Sequence, residues 1–362
     1  MRSASSGGFL RGVQEKQNNL DQDQADNGKS NATVADKRAQ LIALDWGTSS
    51  LRAYLLGQSG TILSQVSMPL GVMQLKQIPK RNLCSNSKAF ENAFEQACGP
   101  WLRAMPSLPV VASGMVGSRE GWREAPYLCV PADVSDLGKH LTKLETSRGR
   151  TIQIVPGLVR RGELVNVMRG EETQILGALT AIPADERRKA WVCLPGTHSK
   201  WAFLNGTTVQ DFETFMTGEV FAALCEHTIL RRTLKQSSSF LPQAFDRGLQ
   251  VAERAGHLGV LSNVFSVRAF ALTGQLTAKE QADYLSGLLI GHEIAALSVL
   301  DADTDSPARE LLPIILAGES SLCMRYQRAL KSKHYRKVTI VADATARGLW
   351  KIAAQANFVA GG

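Results

Sequence analysis

"LIALDWGTSSLRAYLLGQSGTILSQV", residues 41–66, decides the fold. An apolar strand carries a single carboxylate, Asp45, and stops at a turn of Gly47, Thr48 and Ser49. The chain then returns as a second apolar strand with Arg52 near its start. A buried acid is costly unless it is paired or holds a metal. A turn of glycine and small hydroxylated residues lets backbone N–H groups approach an anion without side-chain bulk.

The pattern recurs at residues 189–204, "KAWVCLPGTHSKWAFL": apolar strand, a Gly196-Thr197-His198 turn, returning strand. Neither turn matches the strand-to-helix phosphate loop GxxxxGK[ST] or the dinucleotide motif GxGxxG. One such hairpin is ordinary. Two, one of them carrying an acid, point to a pair of clamps gripping a triphosphate from both sides. Asp45 beside phosphates then requires a cation between them, and Mg²⁺ held through water suits it, since magnesium keeps several of its waters. The plain alternative is an aspartate that only caps the turn.

The 362-residue length allows two core-forming domains. A hydrophobic fraction of 44% and a charged fraction of 20% are ordinary for a globular chain. The formal net charge of +8 comes from scattered basic residues. The densest run, "KSKHYRK" at 331–337, lacks interleaved aromatics beyond Tyr335, so a solvated basic surface or attraction of acidic small substrates is expected rather than nucleic acid. The six cysteines include no CxxC pair and no zinc spacing, and read as free thiols in a reducing, cytoplasmic compartment. No uncharged apolar stretch reaches membrane-spanning length: the run beginning at Tyr284 is interrupted by His292 and Glu293, and reads as a buried helix. Residues 1–39 are too polar to offset the entropy of ordering and read as a disordered tail.

The rest reads as alternating strands and helices. Helices are expected at 87–103, from 171 onward, near 217, through much of 225–275, at 279–300, after 320 and after 344, and strands at "PVVASGMVG", "TIQIVPGL", "LLPIILAGES" and "KVTIVAD". Residues 118–132 read as a loop. In "MRGEETQILGA" Glu171 and Glu172 open a helix, either as favourable charges at its N-terminus or as a general base for a hydroxyl nucleophile. Adjacent helical residues point about 100° apart, so one of the two faces a cleft, and the sequence leaves open which. At 314–330 a strand ends on Gly318-Glu319-Ser320 and enters a helix, a turn that suits close approach to a flat ligand such as adenosine.

The order of these motifs resembles the phosphate-1, connect-1, phosphate-2, adenosine and connect-2 series of the sugar-kinase, actin and heat-shock ATPase superfamily. More narrowly, "DWGTSSLRAYL", "SGMVGSREGWREAPYL", "NVMRGEETQILGA", "LPGTHSKW", "FMTGE" and "YLSGLLIGHE" together resemble the 2-dehydro-3-deoxygalactonokinase family over about residues 41–355. The resemblance implies an α/β fold of two ribonuclease-H-like domains, 40–178 and 179–362, with ATP and Mg²⁺ in the cleft. It implies transfer of phosphate to the carbon-6 hydroxyl of 2-dehydro-3-deoxy-D-galactonate. Asp45 carries over as the magnesium acid. Gly47, Thr48 and Ser49 carry over as the first clamp, Gly196, Thr197 and His198 as the second, and Gly318, Glu319 and Ser320 as the adenosine motif. Related sugar kinases place an aspartate base at connect-1. Glutamate stands there in this chain, so Glu171 and Glu172 both remain candidates.

An acidic sugar needs a cation for its carboxylate, and arginine forks suit it. Arg52, Arg119, Arg123 and Arg169 are the candidates, with Trp122 between two of them in the loop that most resembles this family alone. Expected partners are ATP and a sugar acid, with no nucleic acid and no membrane; assembly into a homo-oligomer is left open. The competing readings are a kinase for another sugar or sugar acid, and a nucleotide-driven switch of the same fold that hydrolyses ATP with no acceptor.

Overall fold

The computed structural model describes residues 38–76, 85–184, 187–235, 237, 239–300 and 312–360. The tail expected to be disordered lies outside them, apart from its last two residues, and so does Cys84. The first sheet runs in the order β3-β2-β1-β4-β8-β7, from β1 (Leu41–Trp46), β2 (Leu51–Leu56), β3 (Ile62–Met68), β4 (Val110–Gly114), β7 (Thr142–Glu145) and β8 (Thr151–Ile154). The second runs β15-β14-β11-β12-β13-β6, from β6 (Ala132–Asp133), β11 (Lys189–Leu194), β12 (Ser199–Asn205), β13 (Thr208–Phe215), β14 (Ile314–Ala317) and β15 (Val338–Val341). In both, an antiparallel hairpin meander is extended on one side by parallel strands. The two hairpins read from the sequence are therefore equivalent elements of two like sheets.

A third, small sheet, β10-β9-β5, joins β5 (Tyr127–Cys129), β9 (Gly157–Arg160) and β10 (Asn166–Met168). It corrects two expectations. The expected loop at 118–132 contains β5 and β6, and "TIQIVPGL" is two strands in different sheets, β8 and β9. Pro156 has no N–H for a ladder and separates them.

The helices are α1 (Val72–Lys76), α2 (Ser85–Ala104), α3 (Glu171–Thr180), α4 (Thr217–His227), α5 (Pro242–Arg254), α6 (Gly259–Leu272), α7 (Gln281–Leu300), α8 (Ser320–Ser332) and α9 (Ala344–Gln355). Strand β1 is apolar on both faces because both are covered. Leu41 and Ala43 join a core shared with α3, α9 and the second sheet. Ile42, Leu44 and Trp46 pack on the other side with Phe90, Phe94 and Trp101 of α2. Each such large side chain contributes roughly 1.5–3 kcal/mol on burial. The far face of the second sheet is covered by α5, α7 and α8, and α6 completes that helical layer. No helix among the described residues is long and apolar enough to cross a membrane.

The centre of the molecule is the crossing of α3 and α9. A Cβ on Gly177 would lie 1.8 Å from the Ala344 carbonyl oxygen, and one on Gly348 would lie 1.9 Å from that of Thr173. Only glycine permits this backbone approach. The contact fixes the N-terminus of α3, and the two glutamates on it, between the sheets.

Candidate active site

The first turn is held from behind. Gly47 N–H donates to the Ser50 carbonyl at 2.9 Å, while Val72 and Met73 of α1 donate to the carbonyls of Gly47 and Thr48, each at 3.1 Å. Thr48 and Ser49 are left exposed at the tip. Asp45, partly buried, lies opposite Arg52 on β2 and Ser113 on β4. Its Oδ2 is 3.4 Å from the Arg52 guanidinium. Burial pushes its carboxyl above the usual range; Arg52 opposes that, and the charge of Glu171 reinforces it.

The two connect-1 glutamates part company. Glu172 is fully buried. One oxygen accepts Gly170 N–H at 2.7 Å, and the other lies 3.0 Å from the Thr173 hydroxyl and 3.3 Å from that of Ser113. Glu171 is 24% exposed; it accepts Arg169 N–H at 2.8 Å and stands 3.5 Å from Lys200 Nζ. Lys200 is itself buried, on β12 directly beyond the second turn. Asp45, Glu171 and Lys200 thus gather where the two glycine turns meet the N-terminus of α3. In the sequence Lys200 is simply a position of the strand returning from the second turn. A lysine inside an otherwise buried strand was the available signal.

Burial and the neighbouring Glu171 charge raise the Glu172 carboxyl to about 7. The unfolded chain, with an ordinary carboxyl near 4.5, binds fewer protons than the folded one between those values. The stabilising contribution is therefore complete below pH 4.5 and is lost as pH rises through about 7. Thermal denaturation of wild type and Glu172→Gln across pH 5–8 tests this. The variant should gain stability relative to wild type as pH rises, by on the order of 3 kcal/mol at most. Parallel pH curves would contradict it.

The second turn faces a cavity of about 640 Å³ lined by Gly196, Thr197, Gly218, Ser321, Arg325 and Tyr326 among others. A Cβ on Gly196 would meet no protein atom, so the space above this turn is open to a ligand. Gly218 is pressed against the turn's other side: its Cβ would fall 2.3 Å from the Gly196 carbonyl oxygen. Glu219 N–H donates to the Thr197 carbonyl at 3.0 Å, and the His198 ring meets the Glu219 carboxylate at 2.5 Å. The opposite wall follows Gly318, where Glu319 caps α8 by accepting Ser321 and Leu322 N–H, each at 2.9 Å. The residues that reach the cavity come just after the expected Gly318-Glu319-Ser320: Ser321, Leu322, Arg325 and Tyr326.

The arginines of the sugar reading separate by burial. Arg119 and Arg123 are exposed, and Arg52 is occupied with Asp45. Trp122 packs among Trp46, Phe90 and Phe94 with ring centroids 5.9–6.1 Å away, and donates to Ser87 Oγ at 3.1 Å. Arg169 is buried, with Nη2 donating to the Ala125 carbonyl at 2.7 Å and its guanidinium stacked 4.2 Å over the Tyr127 ring. Its Nη1 is buried and has no hydrogen-bond partner among the described residues.

These features fit a nucleotide and a magnesium ion. The cavity has nucleotide-scale volume, the second turn has room for phosphate, and Asp45 carries a carboxylate that burial and Glu171 leave poorly compensated. Among the described residues no group of three His, Cys, Asp or Glu could hold a metal. One carboxylate with phosphates and waters is the donor set magnesium accepts.

Two sheets that share the order of five strands, each opening on a glycine hairpin, with crossed helices between them, define the actin-like ATPase fold. Residues 45–352 match the family model described as 2-keto-3-deoxy-galactonokinase. A 2-dehydro-3-deoxygalactonokinase of Escherichia coli (strain K12) is 35% identical over 312 residues, 85% of this chain and 94% of its own. A Rhizobium meliloti (strain 1021) protein named as a probable enzyme of the same kind is 33% identical over 323 residues, 86% of this chain and 97% of its own. A Sinorhizobium meliloti crystal structure bearing that enzyme name aligns with TM-score 0.71 at 33% identity, covering 87% of this chain and 98% of its own. The chain belongs to the 2-keto-3-deoxy-galactonokinase family.

Proposed function

We propose that this chain transfers the γ-phosphoryl group of ATP to the carbon-6 hydroxyl of 2-dehydro-3-deoxy-D-galactonate, in cytoplasmic galactonate breakdown. The observation that carries the reading is the meeting of Asp45, Glu171 and Lys200 between two glycine turns, beside a nucleotide-sized cavity. Phosphoryl transfer leaves little covalent work for a protein, so positioning and charge neutralisation dominate.

The roles divide as follows. Glu171 orients the sugar hydroxyl and takes its proton, because it is the connect-1 acid that is not sealed in the core. Glu172, locked to Gly170, Thr173 and Ser113, holds the start of α3 in place. Lys200 fixes the Glu171 carboxylate and places positive charge beside the transferring group. With Gly47 N–H bonded to Ser50 and Gly196 N–H turned to Ser199, the N–H groups of Thr48, Ser49, Thr197 and His198 face the phosphates, and Gly47 and Gly196 leave room for them. Asp45 would hold Mg²⁺ through water; when bound, the ion neutralises phosphate charge. Arg119 and Arg123, exposed on their loop, receive the acid's carboxylate, and Arg169, buried against Ala125 and Tyr127, holds that loop in place.

The domain division proposed is 40–178 and 179–362. Two elements cross it: β6 completes the second sheet, and α9 packs back on α3 and β1. Movement about α3 and α9 would close the cleft and exclude water.

Coupled ADP production tests the function. Turnover should require 2-dehydro-3-deoxy-D-galactonate and fall away with gluconate-type epimers and neutral hexoses. Turnover with another sugar would move the substrate and keep the mechanism. Acceptor-independent hydrolysis would replace the kinase with a switch.

A further inference from the structure

Three sequence stretches, each holding residues that the mechanism leaves without a task, converge on one buried side chain. They are "LPGTHSKW", "FMTGE" and "YLSGLLIGHE". Glu293, from the last of these, lies on α7 and is 3% exposed. Its Oε1 accepts Trp201 Nε1–H of β12 at 2.6 Å. Its Oε2 accepts the Thr217 hydroxyl at the start of α4 and, at 2.8 Å, the Tyr326 hydroxyl of α8. Tyr326 in turn lies 2.8 Å from the Ser199 hydroxyl, and Ser199 Oγ is 3.5 Å from Gly196 N.

A carboxylate only accepts, so it dictates the direction of every bond leading to it. The Tyr326 hydroxyl donates to Glu293 and so accepts from Ser199. Ser199 donates to Tyr326, and its lone pairs then face Gly196 N–H. The chain runs one way, from the backbone of the second glycine turn to the buried charge. Through Thr217 the same carboxylate holds the segment whose Gly218 is pressed on Gly196. Thr217, Tyr326, Gly196 and Gly218 all line the cavity. A buried carboxylate is tolerated only when donors satisfy it, and here the donors come from three separate elements, β12, α4 and α8.

We propose that Glu293 is the positioning residue of the nucleotide pocket, holding the second glycine turn, the start of α4 and the middle of α8 in a single arrangement. This rests on the reading that the cavity takes the nucleotide. Glutamine at 293 is isosteric, but its amide must donate, which reverses part of the chain. Tyr326→Phe cuts the link between Ser199 and Glu293 and leaves Trp201 and Thr217 in place. Tyr284→Phe is the matched control: Tyr284 is buried on the same helix, but its hydroxyl bonds Ser266 at 2.6 Å, away from the glycine turn.

ADP binding in the presence of Mg²⁺, measured by titration calorimetry on the full chain without sugar, reads the effect. Glu293→Gln should weaken ADP binding at least tenfold and Tyr326→Phe at least threefold. Tyr284→Phe should leave it within twofold even if its melting temperature falls as far. In turnover, KM for ATP should rise in the first two variants while KM for the sugar acid stays within twofold. Wild-type ADP affinity in folded Glu293→Gln and Tyr326→Phe overturns the proposal. If Glu293→Gln does not fold, Tyr326→Phe decides. A wild-type protein that binds no ADP overturns instead the nucleotide reading beneath it, and is told apart because the defect precedes any substitution.

Discussion

Replacing Glu171 with glutamine is expected to lower kcat by about 10²–10⁴-fold, the span typical of a lost general base, with little change in melting temperature. The glutamine oxygen still accepts the Arg169 N–H, so the start of α3 keeps its shape. What disappears is the proton acceptor and the negative partner of Lys200. The loss should fall on kcat, with KM for ATP nearly unchanged, because the nucleotide cavity is lined by other residues. The paired substitution Glu172→Gln sharpens the test. Glu172 is sealed against Ser113, Gly170 and Thr173, and no substrate hydroxyl reaches it without breaking those bonds. Its removal should cost less turnover than that of Glu171. If kcat of Glu171→Gln stayed within threefold of wild type while Glu172→Gln lost activity, the two roles would have to be exchanged.

Asp45→Asn should lower turnover by roughly 10²–10³-fold, the scale for losing one preorganised charge interaction at a reacting centre, and raise the Mg²⁺ concentration needed for half-maximal rate. Stability should move the other way or stay level. Among the described residues the ionic partner of Asp45 is the half-exposed Arg52, at 3.4 Å, and an exposed partner of that kind contributes about 0–1 kcal/mol. Burial and Glu171 both press against its ionised form, so a neutral amide relieves that pressure at neutral pH. Activity lost while stability is retained identifies a charge kept for function. Stability lost with normal magnesium dependence would instead mark Asp45 as a structural cap on its turn. Thermal melts beside magnesium titrations of the rate separate the two.

The hairpins at 41–56 and 189–205 were legible because strand, glycine turn and strand are local patterns, as was the run of helices spaced between them. The small sheet was not legible. Its strands are three or four residues long, shorter than any periodicity can register, and they pair across chain separations that only the folded molecule closes. In the site, the motif turns could be named from their residue types, but neighbours one residue apart, Glu171 and Glu172, could not be told apart. Their difference lies in what covers them, and that is set by α9 and β4, far away in sequence. Lys200 and Glu293 carried weaker signals still, a charge in an apolar strand and a charge in an apolar helix. Each reads equally as an interruption until its partners are known.

The sequence by itself determined the paired glycine hairpins, the α/β alternation and the family, since these rest on residue types at fixed short spacing. The tertiary structure alone decided which glutamate faces Lys200, which of the candidate arginines is buried, and why one acid sits beneath the cavity beside the second glycine turn. Those outcomes depend on desolvation and on hydrogen bonds between segments tens to hundreds of residues apart, and a charge acquires its energetic meaning only once burial fixes which partners it has.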